Sequence, residues 1–600
     1  IRPTWQITNW LSLRAQVSTD ITDVKQTLKY ESEQPNSLYD PNGSFQSINR
    51  RYDIVYGDVM LNFNYNINRF DIAATVGWTG RYENMNNMRV STNGGLVTEN
   101  WFDLNASRYT PSSTLQRMEL LKTGYMGTLS LGWDNYLFLE LTGRQERSST
   151  LKDQSFFYPS ANLSFLFTQA FHMPSWWNYG KLRLSYGIVG NAPETYTANI
   201  VYEQGSDNGF TWNTIPSSWG NADIRPEKKY EYEIGLESKF LNNRLGIDVS
   251  YYNNRVKDQI LSTPQPSTSG VKNVLMNVGE VANHGWDISI SATPILTRDF
   301  RWDLTANYGV YKNKVVKLAD GVPYLEILNS GGSGIKIQAV EGQPMGDIYA
   351  QVPQVNENGE YLVSDKGLYL NQTELQKVGN INPAGVGGLF NSFSYKNVFL
   401  DFSIDFRIGG DVINEMNQYA TAVGLTPESL KYRDTEHGGL SYYYPGDNNS
   451  SGIPVQVDPS TGAGPNGEII YHDGIILPGV VASTGERNTR IIPAGYYYNT
   501  TYNWGTEAEQ LTYRHSVFDN SYVKLRELTI GYQFPEKIIS KLGLGRLSVS
   551  VFGRNLFYFY KALKNYDAES SVGTSWANQA TVGSSTTATR SFGVSLRASF

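Results

Sequence analysis

Val398-Phe399-Leu400-Asp401-Phe402-Ser403-Ile404-Asp405-Phe406-Arg407-Ile408 alternates two chemistries with a period of two. Val398, Leu400, Phe402, Ile404, Phe406 and Ile408 share one face; Phe399, Asp401, Ser403, Asp405 and Arg407 share the other. Side chains that alternate sides mark an extended strand. In a soluble sandwich the apolar face would meet a core. Here the opposite face carries two aspartates and an arginine, which suits a water-filled lumen and leaves the apolar face for lipid. The pattern returns in Phe70–Trp78, where Phe70, Ile72, Ala74, Val76 and Trp78 oppose Asp71, Ala73, Thr75 and Gly77. It returns again at the C-terminus: Phe592, Val594, Leu596, Ala598 and Phe600 oppose Ser591, Gly593, Ser595, Arg597 and Ser599.

About sixteen such segments follow one another. They start near Trp10, Tyr52, Arg69, Glu119, Asn135, Phe156, Gly180, Lys229, Asn243, Val281, Phe300, Gly388, Asn397, Ser521, Gly545 and Thr589. Short and long connections alternate between them. Asn66-Ile67-Asn68, Asp134-Asn135, Leu241-Asn242-Asn243 and Tyr395-Lys396-Asn397 are tight. Residues 81–116, 191–227, 314–386 and 410–520 form long loops. Up-and-down membrane barrels have short turns at one end and long loops at the other. The fold class expected is therefore all-β, an antiparallel up-and-down transmembrane β-barrel, with the long loops outside the cell. Terminal Phe600, closing a run of alternating apolar residues, reads as a barrel C-terminal signal. Within 410–520, Val412 to Glu436 has few turn residues and suits a helix, with Pro427 opening a second turn. Pro445-Gly446, Asn466-Gly467 and Asp473-Gly474 read as turns.

Composition agrees. The 600 residues are 13% aromatic, with 41 Tyr and 13 Trp, and the mean hydropathy is −0.40. No run is long and apolar enough for a transmembrane helix, and a barrel needs none because only alternate residues meet lipid. The net charge of −7, spread without a basic patch, argues against a nucleic-acid partner. Cysteine is absent, which removes disulfides, thiolate metal sites and thiol catalysis. The first residues, Ile1-Arg2-Pro3-Thr4-Trp5, do not form a signal peptide, so the export signal is expected upstream.

Chemistry-bearing motifs are scarce. Gly462-Ala463-Gly464-Pro465-Asn466-Gly467 fits a dinucleotide pattern but has neither the strand nor the helix that a phosphate site needs, and reads as a loop. Gly331-Gly332-Ser333-Gly334 reads as loop too. His172, His284, His437, His472 and His515 are scattered, without metal-ligand spacing. Asp447-Asn448-Asn449 reads as an exposed turn rather than a calcium loop. No catalytic, cofactor or metal residues are assigned, and no enzyme activity is expected. Aromatic residues on the long loops are the candidate contacts for a substrate or a protein partner: Trp212, Trp219, Tyr442, Tyr443, Tyr444, Tyr496, Tyr497, Tyr498 and Trp504, with Tyr502 beside them. An aromatic face with a polar handle stacks on a sugar ring or packs on a peptide. The plainer alternative is that these rings hold the loops together. Trp5, Trp78, Trp133, Trp302 and Tyr308 lie in or beside strands, where interfacial girdles are found.

Several blocks resemble one family. They are Asn221-Ala222-Asp223-Ile224-Arg225-Pro226-Glu227-Lys228, Tyr232-Glu233-Ile234-Gly235-Leu236-Glu237, Asn277-Val278-Gly279-Glu280-Val281-Ala282-Asn283-His284-Gly285 and Gly342-Gln343-Pro344-Met345-Gly346. Ser521-Tyr522-Val523-Lys524-Leu525-Arg526-Glu527-Leu528-Thr529 and Gly553-Arg554-Asn555-Leu556-Phe557 belong with them. The chain, from about Trp5 to Phe600, resembles the SusC/RagA family of TonB-dependent outer-membrane transporters. The resemblance implies a barrel of about 22 strands, a plug domain, a TonB box that engages the TonB complex, and a SusD-like lipoprotein lid. Residues 1–600 would then be the C-terminal portion of one barrel, with plug, TonB box and about six strands outside this chain. Three functions remain open: an energised importer of oligomeric nutrients such as glycans or peptides, a passive outer-membrane pore, and a barrel-displayed surface receptor or adhesin.

Overall fold

The computed structural model describes all residues except 33–39, 41, 153, 208, 267, 269, 331–333, 447–451, 504–511, 571–574, 583–587 and 600. Trp504, Phe600, the Asp447-Asn448-Asn449 turn and most of the Gly331–Gly334 loop therefore lie outside the described residues. The chain is mostly strand. Its large antiparallel sheet numbers seventeen strands among the described residues: the sixteen read from the sequence and a short first one. Two compact units divide the chain, one of residues 1–238 with 251–282, the other of 239–250 with 283–600.

In the first unit the strands are β1 (Thr4–Thr8), β2 (Leu11–Tyr30), β3 (Ser44–Ile67), β4 (Phe70–Leu96), β5 (Ser107–Trp133), β6 (Leu137–Ser148), β7 (Ser155–Phe165), β8 (Trp177–Asn191) and β9 (Glu227–Phe240). From β1 to β8 each strand pairs antiparallel with the next. The tight turns need left-handed backbone, which Asn and Asp accept more readily than most residues. Asp134 and Asn135 have φ of 51° and 58°, and Asn68 has 55°.

One expectation is corrected here. Residues 81–116 are not one long loop. β4 and β5 stay paired from Arg81↔Lys122 to Ser91↔Ser112 and beyond, leaving only 97–106 as the connection. The period-2 signal fades because this stretch, Asn84-Met85-Asn86-Asn87-Met88-Arg89, has no continuous apolar face. Backbone pairing, which sequence pattern does not report, continues without one.

β9, at its last two residues, and β10 (Leu245–Lys257) are divided between the units. The second unit continues with β11 (Glu280–Leu296), β12 (Phe300–Lys317), β13 (Gly385–Tyr395), β14 (Val398–Ile408), β15 (Tyr522–Gln533), β16 (Arg546–Lys561) and β17 (Ser591–Ser599). Strands β12 to β17 pair antiparallel in chain order. The apolar face of β14 joins an aromatic ladder. Phe402 stacks on Phe393 at 6.1 Å, Phe393 on Trp302 at 5.4 Å, and Phe406 on Tyr308 at 6.2 Å. On the polar face Ser392 donates to Asp401 at 2.6 Å, and Arg526 donates to Asp405 at 2.6 Å. On β17, Phe592, Val594 and Leu596 are 74%, 72% and 68% exposed, an apolar stripe left bare by the described residues.

The long connections 318–384, 409–521 and 562–590 carry their own structure. Strands Tyr324–Ser330, Ile335–Val340, Asp347–Ala350 and Gln376–Asn380 form one small sheet. Leu440–Tyr443, Val455–Gln456, Tyr471–Ile475 and Ile492–Pro493 form another. A helix spans Glu415–Ala422, where Asn414 caps the backbone N–H of Asn417 at 3.0 Å. A 3-10 turn spans Pro427–Leu430. Both fall inside the expected helical stretch. The expected turn at Asp473-Gly474 is instead strand: a side chain on Gly474 would collide with the Leu440 carbonyl and the Tyr442 ring. Glycine is there for close packing rather than for bending the chain.

Candidate functional site

The helix Ala494–Tyr502 places Tyr497, Tyr498 and Tyr502 in one aromatic group. Their ring centroids are 5.1 to 6.1 Å apart. Tyr498 donates to the carbonyls of Glu428 at 2.8 Å and Lys431 at 3.3 Å, which ties the helix to the 3-10 turn. His515 stacks on Tyr502 at 4.4 Å. With Tyr369, Tyr432, Leu440, Leu477 and Pro478 the three tyrosines of the helix line a cavity of about 490 Å³. Glu428 and Lys431 also line it, and the Lys431 ammonium lies 4.7 Å from the Tyr432 ring.

Burial pushes Tyr369 and Tyr498 up to about 12 and raises Tyr497 and Tyr502, so these four phenols stay neutral. Burial, helped by the neighbouring Arg514 charge, pushes the His515 imidazole down to about 4. The cavity thus offers apolar ring faces and neutral hydroxyls, a surface for stacking on a sugar ring or holding an apolar peptide side chain.

The structure divides the aromatic candidates. Tyr497 and Tyr498 line the cavity. Tyr496 is exposed on the same helix, and Tyr443 is partly exposed on its strand. Tyr442 and Tyr444 are corrected: they are 1% and 6% exposed, packed on Tyr471 and Ile491 in a core of the loop. They pack in the loop's own core and do not line the cavity. Trp212 is exposed on the hairpin Glu203–Asp207 and Phe210–Thr214 of the first unit. Trp219 packs edge-on against Tyr202 at 5.8 Å. Sequence reading missed Tyr369 and Tyr432, each remote from the tyrosine clusters in the chain. The Gly462–Gly467 stretch is a turn in which Glu468 accepts the Asn466 N–H at 2.8 Å, leaving no cradle for a phosphate.

A charged group sits where β14 and β15 end. The apolar partners step from Phe402↔Leu528 to Ile404↔Leu525, so Arg526 is an extra, bulged residue. Opposite it the register also shifts, and Asn555 has a positive φ of 53°. Bulges re-aim side chains. This one sends Arg526 to Asp405 at 2.6 Å, Asn555 at 3.0 Å and Glu569 at 2.6 Å. Lys524, almost fully buried, donates to Glu569 at 2.6 Å. Burial alone would raise the Glu569 carboxyl, but Arg526 and Lys524 outweigh it and hold it at about 2. The two sequence blocks that meet here are Ser521–Thr529 and Gly553–Phe557, both singled out above for their family resemblance.

The comparisons agree with this architecture. Residues 4–353 match the family model described as "TonB dependent receptor-like, beta-barrel". This chain belongs to that family. Similar to it is "TonB-dependent receptor P3" of Formosa agariphila, 24% identical over 494 residues, 75% of this chain and 42% of that protein. "TonB-dependent receptor SusC" of Bacteroides thetaiotaomicron is 30% identical over 247 residues, 38% of this chain and 24% of that protein. Among solved structures, the "RagAB peptide transporter" superposes with a TM-score of 0.68 at 19% identity, over 94% of this chain and 58% of that one. The chain spans less than half the length of these curated relatives. Membership of the TonB-dependent receptor-like family makes the protein an integral outer-membrane β-barrel, and the relatives are receptors and transporters rather than enzymes.

Proposed function

We propose that this chain is the barrel portion of an energised importer that takes up an oligomeric nutrient, a glycan or a peptide, with a SusD-like surface lipoprotein as its lid. The long connections face the outside of the cell, and the TonB complex acts through a part of the protein beyond this chain. The observation that carries the reading is the build of the loops. Joining neighbouring strands takes only a few residues, yet here the loops hold buried cores and an aromatic cavity. The loop between β8 and β9 leaves Ile200, Val201, Tyr202 and Phe210 bare, at 50%, 58%, 61% and 77% exposure, beside the exposed Trp212. Apolar groups clustered on a loop mark a surface for another protein. An adhesin has no need of an internal stacking cavity.

The test pairs Val201→Glu with Phe210→Glu in the full-length protein. The barrel should assemble normally, while co-purification of the lipoprotein falls and uptake of the nutrient falls with it. Unchanged co-purification would remove the lid from this reading. Uptake that survives collapse of the proton-motive force would replace the importer with a passive pore.

A further inference from the structure

A second cavity, of about 460 Å³, lies where β14 and β15 give way to the long connections. Arg407, Tyr522, Asn520, Trp576 and Glu569 line it, with Ala580 and other apolar and uncharged polar groups on the remaining wall. Arg407 pairs with Tyr522 across the strands, and the Asn520 N–H donates to the Gly410 carbonyl at 3.0 Å, which fixes Arg407 and Asn520 close together on one strand pair. Most polar groups here are satisfied. Glu569 accepts three hydrogen bonds, from Lys524 and Arg526.

Two groups have capacity to spare. Arg407 donates from Nε to the Gly409 carbonyl at 3.1 Å and from Nη2 to the Ile381 carbonyl at 3.0 Å; the charges of Asp411 and Asp519 act on it through space, but no carboxylate among the described residues forms a direct ion pair with it. Asn520, 4% exposed, donates from Nδ2 to the Ala568 carbonyl at 2.9 Å, while its Oδ1 has no partner among the described residues. A buried acceptor left unpaired is costly, and a guanidinium that makes two hydrogen bonds keeps unused donors. The lining therefore offers a guanidinium edge with unused donors beside one unmet acceptor.

We propose that this cavity binds a carboxylate with a hydroxyl or N–H donor next to it. The carboxylate meets the free edge of Arg407, the donor meets Asn520 Oδ1, and the body of the ligand rests on Trp576. Two sources present this chemistry: a sugar acid, and the C-terminal end of a peptide. The site deepens the importer reading by giving it an acidic ligand, but its binding is measured without transport.

The experiment titrates the full-length protein, purified in detergent, with four probes. Glucuronate is compared with glucose, and the dipeptide Gly-Leu with its C-terminal amide. One acid should bind about tenfold or more tightly than its neutral counterpart, as expected for a hydrogen bond to a charged group. Preference for glucuronate assigns a sugar acid; preference for Gly-Leu assigns a peptide end. Arg407→Gln and Asn520→Asp should each weaken that acid by about tenfold, the first by removing the cation and the second by placing a carboxylate at the donor position. Heat-modifiable gel migration confirms the barrel in both variants, and if Arg407→Gln fails to fold, Asn520→Asp decides alone. Neutral probes that bind as well as the acids, acids that do not bind, or a folded variant within twofold of wild type would each overturn the proposal. Binding retained in a protein that does not transport would count against the importer and leave this site standing.

Discussion

Phe402 and Ser403 are neighbours in the chain and opposites in chemistry. Phe402 lies in the aromatic ladder with Phe393, while Ser403 shares its face with Asp401 and Asp405. If the ladder faces lipid, an arginine in place of Phe402 puts a guanidinium into hydrocarbon. Near the midplane that costs about 2–4 kcal/mol. Ser403→Arg places the same group among carboxylates, and the cost should stay below about 1 kcal/mol. Urea titration of the protein refolded into lipid vesicles reads both. Equal losses would reverse the facing of β14 and of every strand in register with it. The contrast was legible in the sequence because it needs only the parity of a position. The burial of Tyr442 was not, because three consecutive tyrosines look alike until pairing with Tyr471 and Ile491 selects which ring turns inward.

At the scale of elements, the bulge in β15 is the feature that a strict period of two conceals. Leu525 and Leu528 are three apart yet share the apolar face, opposite Ile404 and Phe402. That odd spacing is the one trace of the bulge in the sequence. What it achieves, a clamp on Glu569 more than forty residues onward, follows only from the fold. The clamp has a pH signature. The folded pKa of Glu569, about 2, lies below the usual carboxylate value, so folding gains from the ionised form. That contribution is complete above the unfolded value of about 4.3 and is lost as pH falls towards 2. The connection 562–590 should accordingly become more open to pepsin between about pH 4 and pH 2. Mass mapping of the cuts checks this. Glu569→Gln should open the connection at every pH in that range and flatten the dependence; cutting that still steepens in the variant would assign the effect to another carboxylate. The order of the sheet strands, the tight turns between them and the helical stretch before Pro427 were readable from local pattern, whereas the turn expected at Asp473-Gly474 and the loop expected at 81–116 were not. The small sheets of the loops were not, because strands such as Val455–Gln456 are too short to show any period.

The three connections of the second unit look independent in the sequence, separated as they are by barrel strands. In the fold they share one core. Ile335, Ile337 and Ile348 come from 318–384; Ile413, Tyr513 and Val517 from 409–521; Ala577 and Ala580 from 562–590. A loop that merely joined neighbouring strands would need a few residues and no core. A core built from three loops makes them one cooperative body, since removing a shared side chain weakens all of its contacts together. Ile413 is the sharpest probe because it is fully buried, and its strand Asp411–Ile413 pairs with Val517–Asp519. Ile413→Ala should cost about 2–5 kcal/mol through lost burial and the cavity left behind. Hydrogen exchange should then quicken together at residues 335–337, at 348 and at 577–580, while the barrel strands β13 to β15 keep their protection. If exchange quickens only within 409–521, the loops are separate bodies, and a ligand or lid that grips one of them would have no means of reaching the other two.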